Sequence, residues 1–96
     1  LAEDGEKTAR WLAIRGRPLD GQLDELPHHP GPVTGAPLLD GALATLECQT
    51  FAVYDGGDHS IIVGRVTAVE SPDDPPARGP LIHQAGRYHR LRPTED

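Results

Sequence analysis

Two stretches of alternating residues, 43–54 (LATLECQTFAVY) and 59–70 (HSIIVGRVTAVE), are separated by the four residues DGGD. They constrain the fold more than anything else in the chain. Apolar and β-branched side chains recur at every second position on both sides of a Gly/Asp turn, the pattern of a β-hairpin. Leu46, Cys48, Thr50 and Ala52 fall on one face of the first strand, and Thr45, Glu47, Gln49, Phe51 and Val53 on the other. In the second strand Ile61, Val63, Arg65, Thr67 and Val69 oppose Ile62, Gly64, Val66 and Ala68. Both faces carry apolar groups, so the hairpin is expected to be covered on both sides, as in a barrel wall. Gly64 inside a strand predicts a bulge, or the close approach of a ligand or another backbone.

The rest of the chain is weaker in pattern. Residues 3–14 (EDGEKTARWLAI) read as a short helix, with acidic residues in the first turn and Gly16 just past the end. Residues 15–37 hold Pro18, Pro27, Pro30, Pro32 and Pro37 with the pair His28–His29, and read as an irregular connection. SPDDPPARG (71–79) reads as a proline-rich loop, and PLIH and RYHRL as short extended pieces hinged at Ala85–Gly86. The expectation is one domain over residues 1–96, mainly β with one short helix and β-rich from 43 to 91.

Fifteen acidic against nine basic side chains give a net charge of −6. That balance argues against nucleic acid or an anionic membrane as partner. No run approaches the length of a membrane span, and nothing at the start resembles a secretory signal. The single cysteine, Cys48, excludes an internal disulfide and suits a reducing cytoplasm. The chain begins at Leu1, contains no methionine, and has little from which to build a core. A fragment, or a subunit completed by another chain, is therefore expected.

Several candidate chemistries fail on spacing. His28–His29 with His59 or Cys48 lack metal-ligand spacing, so no metal site is expected. Cys48 shares a strand face with Leu46 and Ala52 and reads as a small packed hydrophobe rather than a reactive thiol. Asp58, His59 and Ser60 are consecutive, and their side chains are expected to diverge rather than form a triad. DGGDH leads into a strand, not a helix, which excludes a Rossmann or P-loop fingerprint. Arg87, Arg90 and Arg92, with His83, Tyr88 and His89, concentrate positive charge near the C-terminus. They read either as a solvated tail or as a contact for phosphates or the π-face of a cofactor.

Three segments, GAPLLDGALATLEC, DGGDHSIIVGRV and PLIHQAGRYHRL, together resemble in order and spacing the second half of the flavin reductase-like family. These are NAD(P)H-dependent components that feed reduced flavin to two-component monooxygenases. The most specific motif is Gly57–Asp58–His59 followed by Gly64–Arg65–Val66. The resemblance implies part of an FMN-binding split β-barrel, usually a homodimer, using FMN or FAD with NADH or NADPH and serving a flavin-dependent monooxygenase. It places Gly57, Asp58 and His59 at the cofactor site, with His59 as the catalytic candidate and Arg87 and Tyr88 as further cofactor contacts. The alternative for His59 is a purely structural role capping the turn. Thr45, His83 and Ala85 depart from the family pattern, which usually has an aromatic at the first two and often a basic residue at the third. The resemblance also implies that only the C-terminal portion of the domain is present. Rival readings are a non-catalytic flavin-binding or interaction subunit on the same fold, and an inactive fragment.

Overall fold

A computed structural model of the chain describes residues 1–71 and 77–95. Its elements run α1 (Glu6–Leu12), β1 (His28–Pro30), β2 (Pro37–Leu39), β3 (Thr45–Asp55), β4 (Ser60–Glu70), β5 (Leu81–Gln84) and β6 (Arg87–Arg90). Each neighbouring pair of strands forms its own two-stranded antiparallel sheet: β1 with β2, β3 with β4, and β5 with β6. The described residues do not close into a barrel. No described helix is long and apolar enough to cross a membrane.

The β3–β4 hairpin is the longest element and forms where alternation and turn chemistry agree. Two register shifts interrupt it, one between Glu47 and Cys48, the other between Thr50 and Ala52. Each inserts an unpaired residue and swaps the faces beyond it, so the single parity expected from the sequence does not persist along the strands. Gly64 pairs with Thr50 beside the second shift. A Cβ placed on it would lie 2.8 Å from the Cβ of Cys48, the close approach that an in-strand glycine signals.

The helix is shorter than the expected 3–14. Ala2 is instead bridged antiparallel to Pro80, with Glu3 N donating to Gly79 O and Leu81 N to Leu1 O. Gly5 is the N-cap and offers no side-chain acceptor, and Ala13 already closes the helix. The helix is fastened by Trp11, whose indole N–H donates to Gln22 O at 2.7 Å. Arg78 ties the two ends of the chain together. One guanidinium nitrogen donates to both carboxylate oxygens of Asp4 at 2.8 and 2.7 Å, and the other to Gly41 O at 2.9 Å.

The proline-rich connection is not wholly irregular. His28–Pro30 and Pro37–Leu39 pair in register, and the ladder stops where Pro30 faces Pro37, since neither proline has an N–H to donate. Between them Gly31 N donates to Ala36 O and Gly35 N to Gly31 O, a compact loop. His28 and His29 thus stand on a strand, and His29 Nδ1 lies 2.5 Å from Asp40 Oδ1. Of the expected loop at 71–79, residues 72–76 lie outside the described ones. The hinge at Ala85–Gly86 is a tight turn with both residues at positive φ, 52° and 76°.

The buried apolar core is small, consisting of Ala2 and Leu38. The hairpin leaves Leu46, Phe51, Val53, Tyr54, Ile61 and Ile62 exposed. Cys48 is exposed as well, not packed as expected, because among the described residues none covers that part of β3. The accessible surface is 7802 Å², against about 5,400 Å² for a folded monomer of this mass.

Candidate functional site

The sequence candidates Gly57, Asp58 and His59 occupy the tip of the β3–β4 hairpin. Asp55 ends β3 and its Oδ1 accepts from Gly57 N at 2.9 Å, a local turn that Gly57 completes at φ 86°. Gly56 N donates to His59 O at 2.9 Å and closes the loop. His59 Nδ1 lies 2.8 Å from Asp58 Oδ1, so these two side chains meet, contrary to the expected divergence. An ionised carboxylate only accepts, which puts the proton on Nδ1 and leaves Nε2 for another partner. The imidazole lies across Gly56: a Cβ there would come within 2.6 Å of Nε2. The ring is nonetheless open to solvent, with the His59 side chain 63% exposed.

Beside this tip the strands expose apolar side chains on both faces. Tyr54 pairs with Ile61, and Val53 with Ile62, all four exposed. The His59 imidazole thus stands at the rim of exposed aromatic and aliphatic side chains. Further along, the Arg65 guanidinium stands 5.0 Å from the centroid of the Phe51 ring.

The other two candidates belong to a different surface. Arg87 and Tyr88 lie on β6, where Tyr88 is half-buried. The Tyr88 ring is engaged from within the chain: Arg10 sits 4.9 Å from its centroid and His83 packs at 5.1 Å, tilted by 60°. Arg10 is in turn held by Glu6, its Nη2 2.7 Å from Oε1. Among the described residues no hydrogen bond, ion pair or ring contact joins Arg87 or Tyr88 to His59. The Tyr88 ring is thus packed between Arg10 and His83.

The residue that sequence reasoning missed is Glu47, which stood in the LEC segment without a role. It is the one buried charged side chain among the described residues, 3% exposed. Its Oε1 accepts from Val33 N at 3.1 Å, Thr34 N at 2.8 Å and the Thr34 hydroxyl at 2.9 Å. The same hydroxyl accepts from Ala36 N at 3.1 Å. Chiefly through the Thr34 N–H, against the opposing effect of burial, these donors hold the Glu47 carboxyl below its ordinary range. The available signal was a glutamate at an alternating strand position opposite a Gly-Pro-Val-Thr-Gly loop.

The model of the flavin reductase like domain family matches residues 1–92. An NADH-dependent FAD reductase from Streptomyces globisporus is 41% identical over 93 residues, covering 95% of this chain and 49% of the relative. The solved structure of the NADH:FAD oxidoreductase SgcE6 from Streptomyces globisporus C-1027, in complex with NAD and FAD fragments, superposes with a TM-score of 0.83 at 38% identity. That match covers all of this chain and 55% of the other. BorF, the flavin reductase component of a bacterial two-component tryptophan halogenase, gives a TM-score of 0.81 at 42% identity, covering 95% of this chain and 56% of its own. The chain spans about half the length of the relatives it matches. The family match begins at residue 1 and does not bear out the expectation that only a C-terminal portion of the domain is present. On a match covering nearly its whole length, the chain belongs to the flavin reductase like domain family.

Proposed function

We propose that this protein is an NADH-dependent flavin reductase that reduces FAD or FMN and supplies the reduced flavin to a partner monooxygenase. What carries the reading is the 41% identity, over nearly the whole chain, to an NADH-dependent FAD reductase. The exposed His59 tip beside the apolar Tyr54–Ile61 pair supports it. Bound flavin would supply the hydride-accepting chemistry; this chain would supply surface and orientation. In this reading His59, its Nδ1 proton held by Asp58, offers Nε2 to the nicotinamide or flavin, and Gly57 lets the turn bring it there. The strip at Tyr54 and Ile61 covers a ring face. Arg87 lies on the separate β6 surface and is assigned no contact.

The uncovered hairpin bears on assembly. Apolar side chains exposed on both faces, and a surface well above that of a compact monomer, support a split β-barrel in which further strands and a second copy cover β3 and β4. A free, exposed Cys48 fits a reducing compartment, so the location proposed is cytoplasmic.

The test is NADH oxidation in the presence of FAD or FMN, by the wild type and by His59→Ala. The expected result is a rate well above that with free flavin, and a kcat/KM at least about tenfold lower in the variant, the size of one lost hydrogen bond to a ligand. Wild-type oxidation no faster than with free flavin would overturn the reading. An unchanged variant would remove His59 from it.

A further inference from the structure

The β3–β4 hairpin carries the candidate site, yet its hydrogen bonds to the rest of the molecule converge on one place. Among the described residues, every hydrogen bond between residues 45–70 and the remainder of the chain ends on the Glu47 carboxylate, and no ion pair crosses that boundary. The three donors come from the loop between β1 and β2, which is braced by its own bonds at Gly31, Gly35 and Ala36. On the hairpin side the Thr67 hydroxyl donates to Glu47 O at 3.0 Å, anchoring the glutamate backbone where the register shifts.

We propose that Glu47 is a positioning residue: its carboxylate is the tether that sets the His59-bearing hairpin against the 31–36 loop. Two successive backbone N–H groups and a hydroxyl converging on one oxygen form a concave anion site, which this chain fills with its own side chain. Gly31 leaves the room, since a Cβ there would collide with the Glu47 carboxylate. The consequence for His59 rests on the reductase reading; the tether itself does not.

The donors, rather than the neighbouring side chains, favour a charged tether. Residues 31–36 contain no ionisable side chain. Glu70 of β4 shares a cleft with Glu47, and His29 of β1 and Asp40, just past β2, pair with each other. No cation neutralises Glu47 among its described partners; neutral donors alone hold the charge. Protonation would turn an acceptor facing three donors into a group with a competing donor of its own. The tether should therefore release in acid.

Two independent readouts test this. Amide resonances of Val33 and Thr34 are followed by NMR against pH in the wild type and in Glu47→Gln and Thr34→Val, and the relative orientation of the two hairpins is read from residual dipolar couplings. NADH kinetics are measured in parallel. The expected result is one shared titration step at Val33 and Thr34, abolished in Glu47→Gln, with the β3–β4 couplings no longer fitting the wild-type orientation. In Glu47→Ala, amide exchange at Thr34 should rise on the order of tenfold, and added formate should reverse it. KM for NADH should rise several-fold in Glu47→Gln but not when His59→Ala is already present, which a general loss of folding would not spare. Amides indifferent to both pH and Glu47→Gln would overturn the tether. Amides that respond while hairpin orientation stays fixed would reduce Glu47 to a local brace and overturn the positioning role. If the wild type oxidises no NADH, the reductase reading fails and NMR alone decides the tether.

Discussion

The Glu47 carboxylate occupies the space that a Cβ on Gly31 would need, with Cγ of Glu47 2.9 Å from that position and the carboxylate closer still. Glycine is therefore required at 31 by a neighbour sixteen positions away in sequence, not by the local φ. Gly31→Ala should expel the carboxylate and open the loop. Thermolysin cleavage within residues 31–36 is expected to accelerate on the order of tenfold under native conditions. An unchanged cleavage rate would show that the loop can yield without losing Glu47.

Acid should act on the same pair. The folded-state Glu47 carboxyl lies below its ordinary value of 4.5. Its stabilising contribution is therefore fully present above that value and is lost as pH falls through the folded pKa. Urea midpoints of the wild type and Glu47→Gln should be well separated above pH 4.5 and converge on acidification. A gap that widens toward low pH would contradict this sign.

The closeness of Gly64 and Cys48 makes a second steric prediction. A methyl group on Gly64 would meet the Cys48 Cβ at 2.8 Å, so Gly64→Ala should cost about 1–3 kcal/mol through overpacking. Adding Cys48→Gly removes the opposing atom, and the pair should cost less than the sum of the two single variants in urea unfolding. Additive losses would place the strain elsewhere.

Arg78 supports two different kinds of bond. Its ion pair with Asp4 joins side chains 39% and 60% exposed, a setting where screening leaves about 0–1 kcal/mol. Its bond to Gly41 O contributes roughly another 1 kcal/mol. Arg78→Ala should therefore destabilise more than Asp4→Ala, and high salt should erase the effect of the Asp4 variant but not that of Arg78. Equal losses in the two variants would assign the whole contribution to the ion pair.

What was legible in the sequence was what is local. The β3–β4 hairpin and the Ala85–Gly86 turn are written in adjacent residues, because alternation and positive-φ glycines act over a few positions. The His59 tip was found through its motif, although neighbouring side chains expected to diverge meet at Asp58–His59. The β1–β2 pairing was hidden by its prolines, which normally argue against strands but here mark where the ladder ends. Glu47 and Arg78 were out of reach for another reason. Their partners are loop amides and a carboxylate 13 to 74 residues away, and no periodicity announces such a contact. Tyr88 drew attention as an aromatic among arginines; Arg10, which takes its ring face, comes from the far end of the chain.

The single tryptophan gives the molecule a built-in reporter of one half only. The Trp11 indole is held by Gln22 O, and no described hydrogen bond or ring contact joins it to β3 or β4. Its fluorescence therefore records docking of α1 on the residues that follow it and is silent about the hairpin. With the other tyrosine removed by Tyr88→Phe, Tyr54 beside the His59 tip supplies the complementary signal. Two intrinsic chromophores thus separate loosening of the hairpin from melting of its base, without any label being introduced.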